Sequence, residues 1–95
     1  MATGEMIAVF SYDVSEARRR RRVAAILEAE AVRVQQSVFE ARMTRKQIDR
    51  LADAIGAELD RGDSLRVYTI AAHGERHCRA IGGAPLPEDQ DFWLL

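Results

Sequence analysis

The sequence predicts an α+β fold: a four-stranded antiparallel sheet with two helices packed on one face. Three observations predict it. The chain opens with an apolar run of strand length, two later stretches carry apolar residues at helical spacing, and short segments with a period of two fill the remaining positions. At 95 residues the chain is read as one domain, residues 1–95, whose modest core would gain from self-association. Hydrophobic residues at 47% and charged residues at 31% give it a globular composition and exclude a disordered chain.

MIAVFSYD, residues 6–13, is apolar almost throughout and rich in β-branched and aromatic side chains, the pattern of a central strand covered on both faces. Residues 1–5 are expected to be a flexible extension ahead of it. Ser15 is placed to cap a helix on which Val23, Ala24, Ile26 and Leu27 recur at helical spacing, with Glu16 suited to the positive end of its dipole. This helix is expected to reach about Glu30. In residues 31–43 the period changes to two: Val32 and Val34 alternate with Arg33 and Gln35, then Phe39, Ala41 and Met43 with Glu40 and Arg42. Two short strands are predicted, joined by a turn or bulge at QQS.

Thr44 and Gln47 have capping-box spacing, and Ile48, Leu51, Ala52, Ile55 and Leu59 then share one helix face, with Gly62 as a stop signal. SLRVYTI, residues 64–70, is a fourth strand. After Ala72 the pattern dissolves, with Gly82, Gly83, Pro85 and Pro87 marking turns. Residues 73–95 are read as a tail whose apolar end, DFWLL, docks as an extra strand or on a partner. Strand, helix, strand, strand, helix, strand is the ferredoxin-like, split βαβ order. Both helices then lie on one sheet face. The first strand is apolar on both sides, so the opposite face needs a cover, and a second copy of the chain, dimerising through the sheet face, is the economical one.

No apolar run approaches the ~20 residues of a membrane span, and MATGE lacks the basic start and apolar core of a secretory signal. A cytoplasmic protein with no membrane partner is expected, and the single cysteine, Cys78, suits a reducing compartment. Net charge is only -1, yet residues 1–50 hold ten Lys and Arg against seven Asp and Glu, and residues 51–95 four against eight. A local basic patch is enough to hold phosphates, because affinity follows the number of phosphates neutralised. Nucleotide-binding, esterase and dehydrogenase classes have no support, since no glycine-rich phosphate loop, G-x-S-x-G elbow or dinucleotide fingerprint occurs. His73, His77 and Cys78 lack a metal-site spacing.

The charge is concentrated in SYDVSEARRRRRV. Asp13 stands where the first strand ends, and its two readings are a turn aspartate and a metal ligand. One carboxylate is poor equipment for phosphodiester cleavage. Two Asp13 side chains brought together by a sheet-face dimer, with waters, would make a reasonable Mg²⁺ site. Successive helix residues point about 100° apart, so the five arginines cannot act alike. Set against the apolar line, Arg18 and Arg21 point outward, whereas Arg19, Arg20 and Arg22 can project along the sheet edge towards a phosphate. Arg33, Arg42, Arg45 and Lys46 could extend such a patch, and each also reads as ordinary surface. Tyr12 and Phe39 read first as core and second as base-stacking residues.

SYDVS at the first strand's end, RRRRRV on the helix, RVQQSVFEARMT and SLRVYTI, in this order and spacing over about residues 6–72, resemble the CRISPR-associated protein two family. The resemblance implies a ferredoxin-like homodimer whose paired Asp13 residues hold a divalent metal, and a metal-dependent endonuclease acting on RNA or DNA. Matched position by position, it implies functional roles for Tyr12, Asp13, Arg20, Arg22, Arg33 and Phe39. It also implies a partner, the CRISPR-associated integrase known as protein one, and a role in spacer acquisition as a duplex-DNA-binding scaffold. Two other classes are carried beside it: a stand-alone, toxin-like endoribonuclease of the same fold superfamily, and a non-catalytic regulatory module. The regulatory reading requires a ligand pocket and leaves the arginine run unexplained.

Overall fold

A computed structural model describes residues 4–88 of the chain. The elements are β1 (Glu5–Asp13), α1 (Ala17–Glu28), β2 (Val32–Gln35), β3 (Val38–Thr44), α2 (Arg45–Gly56), β4 (Ser64–Ile70) and a short α3 (Ala72–Glu75). The four strands form one antiparallel sheet in the order β2-β3-β1-β4. This is the ferredoxin-like α+β arrangement expected from the element order.

β1 is central because it is apolar on both faces. Alternation turns Ala8, Phe10 and Tyr12 towards the helices, where they pack with Phe39 and Met43 of β3, Val23 and Leu27 of α1, and Ile48, Leu51 and Ile55 of α2. Phe10 lies opposite Phe39 on one side and Val67 on the other. Each fully buried side chain of this size contributes roughly 1.5–3 kcal/mol, so this layer fixes the register that places the end of β1.

The local signals hold in some places and shift in others. Thr44 and Gln47 form the expected capping box, with Gln47 N–H donating to Thr44 Oγ1 at 3.2 Å and Thr44 N–H to Gln47 Oε1 at 2.8 Å. The cap of α1 is Glu16 and not Ser15: its carboxylate accepts from the backbone N–H groups of Arg18 and Arg19 at 2.9 and 3.0 Å, while Ser15 N–H is directed to Asp63. α1 ends at Glu28, two residues before the expected limit. α2 ends at Gly56, so Gly62 is no helix stop; its φ of 87° serves the turn that enters β4. QQS provides both the turn and a register irregularity between Arg33 and Gln35. Glu5 belongs to β1, opposite Thr44, so the expected extension does not include it.

The second sheet face carries Ile7, Val9, Ser11 and Asp13 of β1 with Val38, Glu40 and Arg42 of β3. One end of it is covered by the chain itself. Arg42 donates to both carboxylate oxygens of Glu75 in α3, at 3.0 and 2.6 Å, and to the carbonyl of Pro87 at 3.3 Å. Ile7 beneath is only 3% exposed. In the next row, Tyr68 beside Val9 and, on β2, Val32 beside Glu40 stay more than half exposed. Among the described residues there is no fifth strand, and the DFWLL segment lies outside them.

Candidate nucleic-acid interface

The site is built around the end of β1. Tyr12 and Asp13 are neighbours on opposite sheet faces. Tyr12 is 6% exposed; its ring stacks on Phe39 at 6.3 Å between centroids, and its hydroxyl leans to the carbonyl of Gln36 at 3.5 Å. Asp13 points to the uncovered face and is exposed. Among the described residues its carboxylate has no hydrogen bond or ion pair. Both oxygens are therefore available to a ligand.

Phe39 is fully buried, so it cannot stack on a base. It acts as a floor. The Arg33 guanidinium sits 4.8 Å from the centroid of its ring, a cation–π contact that holds a flexible side chain in place. Arg33 also donates to the carbonyl of Gln36 and reaches Glu28 at 3.5 Å.

The arginine run divides. Arg19 is drawn to the α2–β4 loop, where its Nε donates to Asp63 at 2.8 Å, with Asp60 and Glu16 each 3.8 Å away. Arg22 pairs with Glu58 at 2.7 Å. Arg20 folds back over the β1–α1 loop and donates to the carbonyls of Val14 at 3.1 Å and Ser15 at 2.8 Å. Arg18 and Arg21 have no ion pair among the described residues.

Tyr12, Asp13, Arg20, Arg21 and Arg33 line one shallow groove between the start of α1 and the β2–β3 turn. Four of the expected site residues thus meet there, with Phe39 beneath them. Arg19 and Arg22 line a different surface with Glu16, Glu58 and Asp60, and Arg21 borders both. Arg42, which could have extended the patch, is engaged by Glu75 at the opposite end of the sheet face that carries Asp13, and Arg45 faces Asp49 at 3.6 Å. Arg21, which the sequence places outward, also lines the groove. Its signal was the small side chains of Ala17 and Ala24, one turn to either side, which leave the groove open at Arg21.

Three charges here are shifted by their partners. The Arg19 hydrogen bond, then the Asp60 backbone N–H, holds the Asp63 carboxyl below its ordinary value. Backbone N–H groups of Arg18 and Arg19 do the same for Glu16, and Asp63 raises Arg19. All stay ionised at neutral pH.

No cluster of three or more His, Cys, Asp or Glu able to hold a metal occurs among the described residues. A hard cation prefers open carboxylate oxygens and water, and Asp13 supplies one such group. One chain therefore fits half of a two-carboxylate site.

A family model for the CRISPR associated protein Cas2 matches residues 6–77. The CRISPR-associated endoribonuclease Cas2 1 of Chloroflexus aurantiacus is 34% identical over 98 residues, spanning 95% of this chain and all of that protein. Among solved structures, a hypothetical protein from Thermus thermophilus superposes with a TM-score of 0.73 at 32% identity, covering 90% of this chain and all of the other. A chain of a partial Cas6-RT-Cas1–Cas2 complex superposes with a TM-score of 0.67 at 25% identity, covering 84% and 94%. No helix among the described residues is long and apolar enough to cross a membrane.

Proposed function

The chain belongs to the CRISPR associated protein Cas2 family, and from that premise we propose that it is a CRISPR adaptation subunit: a homodimer that binds duplex DNA and cleaves phosphodiester bonds through Asp13. The observation that carries the reading is the free Asp13 carboxylate at the mouth of a groove lined by Arg20, Arg21 and Arg33. A phosphate backbone entering the groove would meet guanidinium groups on one side and the carboxylate on the other. Arg33 is held by the Phe39 ring and keeps donors free for phosphate oxygens. Arg20 uses one nitrogen on backbone carbonyls, and its other two nitrogens can face the ligand. Arg19 and Arg22 would contribute only by leaving Asp63 and Glu58, and the exposed Arg22 pair is the weaker restraint.

Dimerisation through the uncovered end of the second sheet face would join Val9, Val38 and Tyr68 to their copies and bring two Asp13 residues to one interface. A Mg²⁺ ion held between them would activate water and offset charge on the phosphate oxygens. The resemblance to a chain solved in a complex with a Cas1 protein supports an integrase of that kind as partner, with this chain as the duplex-bridging component. The endoribonuclease name of the Chloroflexus relative favours RNA as the second candidate substrate.

Asp13→Ala tests the reading. Cleavage of either nucleic acid in Mg²⁺ should fall roughly 100-fold or more, about 2.7 kcal/mol in barrier, with an unchanged circular-dichroism melt because Asp13 is exposed. Undiminished cleavage would remove Asp13 from the chemistry. A monomeric mass in size-exclusion chromatography with light scattering would remove the paired site.

A further inference from the structure

The side chain of Asp63 is fully covered, and its carboxylate joins three segments. It accepts from the backbone N–H of Ser15 at 3.3 Å, from Arg19 Nε at 2.8 Å and Nη2 at 3.5 Å, and from the backbone N–H of Asp60 at 2.9 Å. The next residue, Ser64, opens β4 directly opposite Asp13. The dipeptide Asp63–Ser64 therefore grips Asp13–Ser15 at both ends, through the strand pairing at Asp13 and the carboxylate at Ser15. From the other side Arg20 holds the carbonyls of Val14 and Ser15, and Val14 is 3% exposed. The backbone leaving Asp13 has its direction set by side chains from outside the turn.

We propose that Asp63 is a positioning residue for Asp13. Its carboxylate fixes the Asp13–Ser15 turn and so fixes the direction in which the Asp13 carboxylate leaves the sheet. Arg19 belongs to this latch and not to the nucleic-acid surface: neutralising Asp63 is its task, and a phosphate would have to compete with an enclosed carboxylate for it. A short loop without such a grip would let Asp13 sample many directions, and a cation shared between two copies needs both carboxylates aimed at once. The inference rests on the reading of Asp13 as a metal ligand.

The test is calorimetric titration of Mn²⁺ into the full-length parent, Asp63→Asn and Ile48→Val, with hydrogen exchange followed in the metal-free proteins. Asp63→Asn keeps the side chain's shape and removes its charge. It should exchange the Ser15 amide faster and bind Mn²⁺ about tenfold more weakly, within the range for residues that orient a ligand. Ile48→Val trims the core beneath α2 and should lower the melting temperature without changing Mn²⁺ affinity. Equal Mn²⁺ binding by the parent and Asp63→Asn would overturn the inference, as would equal weakening in Ile48→Val, which would reduce Asp63 to a contributor to stability. A parent that binds no Mn²⁺ would overturn the metal reading itself and this inference with it.

Discussion

The two sides of α1 carry the same residue type and put it to opposite uses. On one side Arg19 and Arg22 meet Asp63 and Glu58 and are neutralised within the chain. On the other, Arg20 lines a groove shared with Arg33, Tyr12 and Asp13, and Arg21 stands between the two sides, bordering both, with no carboxylate among the described residues paired to it. A run of five cations is therefore not five unpaired cations. What separates them is the acidic α2–β4 loop, which reaches only one side of the helix.

The largest expected effect comes from removing the floor of the groove. Phe39→Ala should cost about 3–5 kcal/mol, read as a lower midpoint in urea unfolding. Arg33 and Tyr12 lose their support together, so the groove should weaken with the core. A cost below about 1 kcal/mol, far under the usual range for a buried phenylalanine, would mean that the ring is not the packed floor beneath the groove.

Next in size is the contrast between the two arginine pairs. Arg20→Ala with Arg33→Ala should reduce the slope of log affinity against log salt for duplex DNA by about 1.8, at roughly 0.9 for each phosphate no longer neutralised. Arg19→Ala with Arg22→Ala should leave that slope nearly unchanged while lowering thermal stability as the Asp63 latch opens. Equal slopes for both doubles would erase the division.

The smallest effect sharpens the tied side through pH. Asp63 has a lower pKa folded than unfolded, chiefly because of Arg19. Its contribution to stability is therefore present above the unfolded value, about 4, and is lost as pH falls through the folded value. The melting-temperature gap between parent and Asp63→Asn should be constant from about pH 7 to about 5 and should close below ~4. A gap that widened on acidification would show that the ionised carboxylate is not the stabilising form.

Much of this was legible in the sequence. The order of periods specified the sheet, Thr44 and Gln47 marked the start of α2, and the neighbouring Tyr12 and Asp13 marked the turning point at the end of β1. These are signals between residues close in the chain, which helical and strand periodicity expose. Ser15 does not cap α1 because its backbone is drawn to Asp63, 48 residues away. Arg21 reads as pointing outward, yet it borders the groove, and Arg19 reads as facing a phosphate, yet it is paired with Asp63: the sequence orders the arginines around a helix but cannot say which carboxylates wait there. The short α3 was hidden because four residues are too few to show a helical period, and Arg42 reaches it from 33 positions away.

The ferredoxin-like sheet, the two helices and the position of Asp13 where β1 stops follow from hydrophobic periodicity and capping, which act between neighbours in the chain. Only the tertiary structure decided which arginines are free, what lies under the groove and what grips the turn beyond Asp13. Those choices depend on distances between residues far apart in sequence, and a charge takes its role from whichever partner the fold brings within hydrogen-bonding reach.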